Sequence, residues 1–500
     1  MAKSESSRAT VPSNDAAKPA ARTPWILNRS ADILLVIAAP IPIFLLITGA
    51  STIWSAQAVS AFVMVWAIGH HLPGMMRAYG DPDLFRRFWL RFTIAPVLLI
   101  GVCAWSFSKG LYGVHVIAGI WGWWHYLMQT YGFVRIYDAK IGSFATVTRW
   151  LDWAMCLIWF AAAIILNDNT TYGFLLRFYN SGLSIPSAQA MQNLRVFTLS
   201  AASIITILFF GNLIYQWRQG RRTSLIKVAL MLTTFAYFWY STATVSNIVV
   251  AYAYFELFHD VQYLTIVWAF NRNRVNKDPN LGGFTRFLFR PRTILIGAYI
   301  ALVCGYGLLN YGSQRVSDES ARNLLLGVFL ASTLLHYYFD GFIWKMREKK
   351  THSTLDIESN ETASFNAFSI PGWLRHALLW LVFVIPLAYM TWAQGKFQAD
   401  PIADSQQIRD CVPESISALY DHGLALEASG NIDEAMNYYR EAQSRAAHHG
   451  PSRSRLLKIH NRRGFHYMQH GNDEAALREF EASLEIDPDQ IDIKMLVKRI

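Results

Sequence analysis

Residues 252–274 read YAYFELFHDVQYLTIVWAFNRNR, an apolar run interrupted by Glu256, His259 and Asp260. On a helix, residues three and four apart share a face. Tyr252, Glu256, His259, Asp260 and Tyr263 therefore form one polar stripe, with Gln262 at its edge. An ionisable group in hydrocarbon costs about 2.5–3.5 kcal/mol on insertion scales, so it normally faces an interior and has a task there. The Glu-x-x-His spacing aims a carboxylate and an imidazole at one point, as in the ligand pairs of metal-binding helix bundles. The chemistry implied is metal coordination or proton transfer.

Three other apolar segments carry related residues. GHHLPGMMRAYGD holds His70 and His71, and WHYLMQTYGFVRIYD places His125 and Gln129 on one face before Arg135 and Asp138. LLHYYFDGFIWK places His336 and Asp340 on one face before Lys345. Each histidine precedes a basic residue by a short helical distance: Arg77, Arg135, Arg272 and Lys345 follow His71, His125, His259 and His336 by 6, 10, 13 and 9 residues. At 1.5 Å per residue the four lie roughly 9–20 Å inside one boundary, so they can meet in one layer. His70, His71, His125, His259 and His336 are the candidate metal ligands, with Glu256, Asp260 and Asp340 as candidate ligands or acid–base groups. Imidazole plus carboxylate with open positions suits non-haem iron, fits zinc less closely and calcium poorly. Five histidines and three carboxylates can hold two ions, or one ion with carboxylates fixing the imidazoles. His115 and His376, near segment ends, read as helix-packing residues, and Trp121, Trp123, Trp124 and Trp344 as interfacial anchors. Tyr126, Tyr131 and Tyr337 suit either substrate positioning or interfacial packing.

The elements that must position these residues follow from composition. The chain is 53% hydrophobic and 16% charged, against roughly 25% charged in soluble domains. The expected fold is all-α: a polytopic transmembrane bundle over residues 25–394 with a small helical-repeat domain at 395–500. Eleven candidate spans centre near residues 40, 63, 100, 121, 156, 204, 232, 257, 301, 332 and 383, those near 40 and 100 being short. Segments 77–92, 135–149, 217–227, 271–292 and 345–350 are rich in Arg and Lys, whereas 49–53, 108–110, 167–193, 240–246 and 311–321 are short or nearly free of them. That alternation predicts a cytoplasmic N-terminus and, after an odd number of spans, a C-terminus outside, in a bacterial inner membrane. It also accounts for the net charge of +10 without a nucleic-acid partner. Residues 1–24 are polar and expected to be disordered, and no apolar stretch of signal-peptide type follows them closely. DLFRRFWLRF (83–92) and FTRFLFRPR (284–292) read either as amphipathic interfacial pieces or as ordinary loops. Cys103, Cys156 and Cys304 fall in spans and Cys411 is alone in the tail, so no disulfide framework is expected.

In the tail, Gly423, Gly430, Ala435 and Tyr439 recur at a constant offset as Gly464, Gly471, Ala476 and Phe480. Small residues let two helices pack closely while the aromatic fills the groove to the next pair. The pattern resembles tetratricopeptide repeats, with Pro488 as the closing proline. The offset exceeds the usual 34 residues, which predicts an expanded turn around residues 448–451. Two repeats do not stand alone, so they are expected to lean on residues 495–500, the membrane part or a protein or peptide partner.

Buried histidines on several helices near one face make the bundle resemble integral-membrane non-haem iron oxygenases, both the desaturase and hydroxylase group and the bacterial β-carotene-cleaving dioxygenases. The resemblance is by residue type, with His70 or His71, His125, His259 and His336 as implied ligands; the spans lack the HxxxH and HxxHH boxes of desaturases. It implies a membrane-embedded metal-dependent oxidoreductase acting on a lipid or other apolar substrate. The residues leave alternatives open: a proton-coupled transporter or channel using the same groups as a relay, a haem protein with axial His pairs, or a scaffold presenting the repeats.

Overall fold

The computed structural model describes residues 23–54, 56–243, 245, 248–277, 281, 283–344, 354, 371–445 and 450–500. The expected disordered segment 1–24 thus lies outside the described residues except for Thr23 and Pro24, as do Lys345 and the side chain of Tyr252. Among the described residues the chain is helical, with no strand.

After a π-helical turn at Asp32–Ile37, the helices are α1 (Pro40–Ile53), α2 (Ala56–Gly69), α3 (His71–Gly80), α4 (Pro82–Ser108), α5 (Gly113–Lys140), α6 (Thr146–Ile165), α7 (Asp168–Asn180) and α8 (Ala188–Arg218). There follow α9 (Leu225–Ala243), α10 (Ile248–Lys277), α11 (Ile294–Ser313), α12 (Glu319–Ile343) and α13 (Gly372–Lys396). The tail holds α14 (Pro401–Cys411), α15 (Ile416–Ala428), α16 (Ile432–Arg445), α17 (Gly450–Gln469), α18 (Asp473–Ile486) and α19 (Ile491–Arg499).

Each of the eleven candidate spans falls on a helix, but among the described residues only six helices are long and apolar enough to cross a membrane: α4, α6, α8, α11, α12 and α13. A seventh joins them if the pair Arg29–Ile37 and Pro40–Ala50, bent by 47°, is one broken span. Length and composition alone thus support six or seven spans among the described residues, not the expected eleven. Of the helices that fall short, α2 has 14 residues, while α5, α9 and α10 carry buried polar side chains such as His125, Lys227 and Asp260.

Helix α10, which carries the Glu256–His259–Asp260 stripe, is the centre of the packing. Phe255 and Phe270 join a cluster with Tyr137, Phe160, Phe235 and Phe238. Phe258 packs with Ile47 and Val63, and Leu264 with Tyr299 and Val303. A further cluster joins α4 to α12 through Phe92, Leu99, Leu334 and Phe339. Helices α2 and α11 touch backbone to backbone: a Cβ on Gly307 would lie 1.8 Å from the Val65 carbonyl oxygen, so only glycine fits.

A second buried polar group ties α5, α6 and α9 together. Lys227 Nζ lies 2.8 Å from Asp138 and 2.8 Å from Asp152, and Arg135 reaches the same carboxylates at 2.7 and 3.0 Å. Lys227, which composition counts among the loop charges, is fully buried. Arg77 is likewise no boundary residue: it is buried between the rings of Phe270 and Trp344, 4.0 and 3.9 Å away.

The tail rests on one end of the bundle. Tyr172 donates to Asp421, the Glu414 amide to Asp168 at 2.7 Å, and Gln407 to the Ile185 carbonyl at 2.9 Å. Tyr172, Leu175 and Met191 pack with Ile408, Cys411, Val412 and Ala418. Every one of these bundle residues belongs to, or borders, the base-poor connection 167–193. Within the repeats, a Cβ on Gly423 would lie 2.6 Å from Tyr439 and one on Gly464 2.5 Å from Phe480, which explains the paired glycines. The first helix of the second repeat is the longer one: α17 has 20 residues where α15 has 13. Of the expected turn at 448–451, residues 448 and 449 lie outside the described residues and 450 and 451 begin α17. Helix α19 covers Ala476 and Phe480 with Ile493, Leu496 and Val497, the support expected from the chain's end.

Candidate metal centre

The centre forms where a helix break, α5, α10 and α12 converge. Helix α2 ends at Gly69 and α3 starts at His71, with His70 between them at φ −67°, ψ −11°. The break turns two consecutive imidazoles into the bundle, which an uninterrupted helix would splay about 100° apart. His125 comes from α5, His259 and Asp260 from α10, and His336 from α12; all are buried.

The rings pack in a single layer. Centroids are 4.6 Å apart for His125–His336, 5.1 Å for His125–His259, 4.7 Å for His70–His336 and 4.8 Å for His71–His336. The Nε2 atoms of His70 and His336 lie 3.1 Å apart. Three sets of ligand atoms fall within 4.8 Å of one another: His125/His259/His336, His70/His71/His336 and His70/His259/Asp260.

Around this layer, polar neighbours fix individual groups. His70 Nδ1 lies 2.7 Å from Asp260 Oδ1, close enough for charge attraction though outside hydrogen-bond geometry. Ser332 Oγ lies 3.3 Å from His71 Nδ1 and 2.8 Å from the Tyr306 hydroxyl. Asp340 Oδ1 accepts from Tyr263 and from Trp344 Nε1, both at 3.1 Å, and its Oδ2 lies 3.7 Å from His336 and 4.0 Å from His125. Tyr126 donates to Glu256, Tyr337 stacks on His125 at 4.7 Å, and Gln129 donates to the His259 carbonyl at 3.1 Å.

An ion fits this donor set. His125 Nε2, His259 Nε2, His336 Nδ1 and both oxygens of Asp260 are buried without a hydrogen-bond partner. A buried polar atom left unsatisfied costs about 1–3 kcal/mol, so several in one place point to a shared partner. Neutral imidazole and carboxylate are the donors that iron and related divalent ions accept.

All eight expected site residues converge here, in unequal roles. The five histidines and Asp260 belong to the possible ligand sets, whereas Glu256 and Asp340 border them. His115 and His376 lie apart: His376 pairs with Tyr338 at 2.9 Å and Trp380 at 3.2 Å, and His115 contacts Phe107 and Tyr112. Two contributions to the site lie beyond the sequence reading. Trp344 is not merely an interfacial anchor, since it holds Asp340 and stacks on Arg77; its spacing of four from Asp340 was the available signal. Ser332, one turn before His336, carried the same kind of signal.

Beside the centre lies a cavity of about 480 Å³, bounded by α5, α10 and α12. His125 and Asp340 form one side; Trp121, Trp124, Met128, Phe270 and Trp344 make most of the rest apolar. Tyr131 and Tyr337 also line it, as the substrate-positioning reading of these tyrosines requires, whereas Tyr126 faces Glu256.

Comparison with known proteins identifies two tetratricopeptide repeats, at residues 416–449 and 457–490. The tail is therefore of a class that generally mediates protein–protein contacts. No curated protein and no solved structure matches the chain.

Proposed function

We propose that this chain is a membrane-embedded, metal-dependent oxidoreductase acting on a lipid or other apolar substrate, with non-haem iron as its ion. The observation that carries the reading is the set His125, His259 and His336: buried donor nitrogens without partners, drawn from separate helices, with His125 at the wall of an apolar cavity. When bound, such an ion supplies one-electron and dioxygen chemistry. The chain's own residues do the rest. Tyr337 fixes the plane of His125, and Asp260 orients His70. Tyr263 and Trp344 hold Asp340 at the cavity edge, where its free Oδ2 can exchange a proton with a bound molecule. Glu256, paired with Tyr126, is the second acid–base candidate. The close packing of the imidazoles favours an ion over a haem, whose macrocycle would have to pass between them.

The same reading places the bent pair Arg29–Ile37 and Pro40–Ala50, as one broken span, and α2, α5, α9 and α10 in the membrane with the six apolar helices, giving eleven crossings. It leaves the N-terminus in the cytoplasm of a bacterium and the tail outside. Docking of the tail on the base-poor side supports that orientation. The test is metal analysis and a visible spectrum of protein purified from iron-replete medium without chelators. Stoichiometric iron is expected. Protein with no stoichiometric metal, together with pH-dependent uptake in vesicles, would instead establish the histidines as a proton relay.

A further inference from the structure

The cavity beside the centre opens through the side of the bundle. Trp124 and Met128 line it and are 39% and 36% exposed, and both lie well inside the 28-residue helix α5, away from its ends. An opening at that height faces hydrocarbon when the bundle spans a membrane. The volume of about 480 Å³ falls in the range of small-molecule sites.

Its charges restrict what can enter. Among the described residues Arg135 is the one cation in the lining, and its guanidinium is already bound to Asp138 and Asp152 at 2.7 and 3.0 Å. Asp340 adds a carboxylate at the inner wall. An anionic head group would lose its hydration and find the lining's counter-ion engaged, whereas an uncharged chain meets Trp, Phe, Met and Ile.

We infer that this cavity is a substrate chamber entered from the bilayer through the wall formed by α5, and that it takes an uncharged long-chain apolar molecule in preference to an anionic amphiphile. Its link to catalysis rests on the proposed metal centre and its opening to the bilayer on the proposed membrane placement of α5; the chamber and its selectivity stand on their own residues.

Two glycines give the means to test it. Gly132 and Gly341 line the chamber, and a Cβ added at either meets nothing within 4 Å. Alanine should therefore be silent at both positions, while leucine should project into the chamber without disturbing helix packing. Full-length protein in phosphatidylcholine vesicles is photolabelled with a diazirine-bearing long-chain alcohol or with the matching fatty acid, and labelled residues are mapped by mass spectrometry. The alcohol should label the 121–136 segment, and Gly132→Leu or Gly341→Leu should reduce that labelling roughly tenfold, with metal content and helicity as in wild type. Undiminished labelling in both folded leucine variants would overturn the chamber. Equal labelling by alcohol and fatty acid would overturn the selectivity. Labelling that follows these expectations in protein devoid of metal leaves the chamber established and removes the proposed catalytic function instead.

Discussion

Asp260 illustrates how one carboxylate can decide the behaviour of several imidazoles. It is fully buried, 2.7 Å from His70 Nδ1, and able to join His70 and His259 around a common point. If it orients His70, Asp260→Asn should weaken metal binding about 10–100-fold, the usual loss when an orienting partner is removed. His125→Ala, His259→Ala and His336→Ala should each lower bound metal and abolish turnover, and should do so non-additively, because residues acting as a unit cannot each remove the same activity twice. Metal analysis of the single and double variants decides this, with His115→Ala and His376→Ala as unaffected controls. Glu256→Gln separates two roles: lost metal makes Glu256 a ligand, while retained metal with lost turnover makes it an acid–base group. Lys227 is a different case, a cation buried against Asp138 and Asp152. Removing one partner of a buried pair costs about 3–5 kcal/mol, so Lys227→Met should sharply lower the unfolding midpoint. An unchanged midpoint would mean that Arg135 alone satisfies both carboxylates.

Among the elements, the interrupted helix α2–α3 and the repeat helices show two uses of small residues. The break after Gly69 delivers His70 and His71 together, so the centre depends on a discontinuity as much as on helices. In the tail, Ala435 and Ala476 are fully buried where paired helices touch. Ala435→Arg or Ala476→Arg forces a long cation into that contact, a change that overpacking alone makes unfavourable by about 1–3 kcal/mol. Limited proteolysis should show the tail cut while helices up to Lys396 remain protected in the membrane. Wild-type resistance in both variants would count against the close helix contacts described here.

For the molecule as a whole, orientation follows from where charge and mass lie. Charge alternation along the sequence assigns the Arg- and Lys-rich connections to one side, and the repeats dock beside the base-poor connection at 167–193. A reporter active only in the cytoplasm, fused after Ile500, should therefore be silent. Strong activity would reduce the crossings to an even number, with α9 the first helix to be withdrawn, since it carries buried Lys227.

The sequence by itself determined what depends on neighbours along the chain. Period-3.6 stripes placed Glu256, His259 and Asp260 on one face, and recurring Gly and Ala positions announced the repeats. Those signals are local and survive in one dimension. Only the tertiary structure decided which atoms meet across helices: His70 with Asp260, Trp344 with Asp340 and Arg77, Lys227 with two aspartates, and the cavity beside His125. Such contacts depend on the rotation and crossing of each helix against its neighbours, which residue spacing within a single helix does not encode.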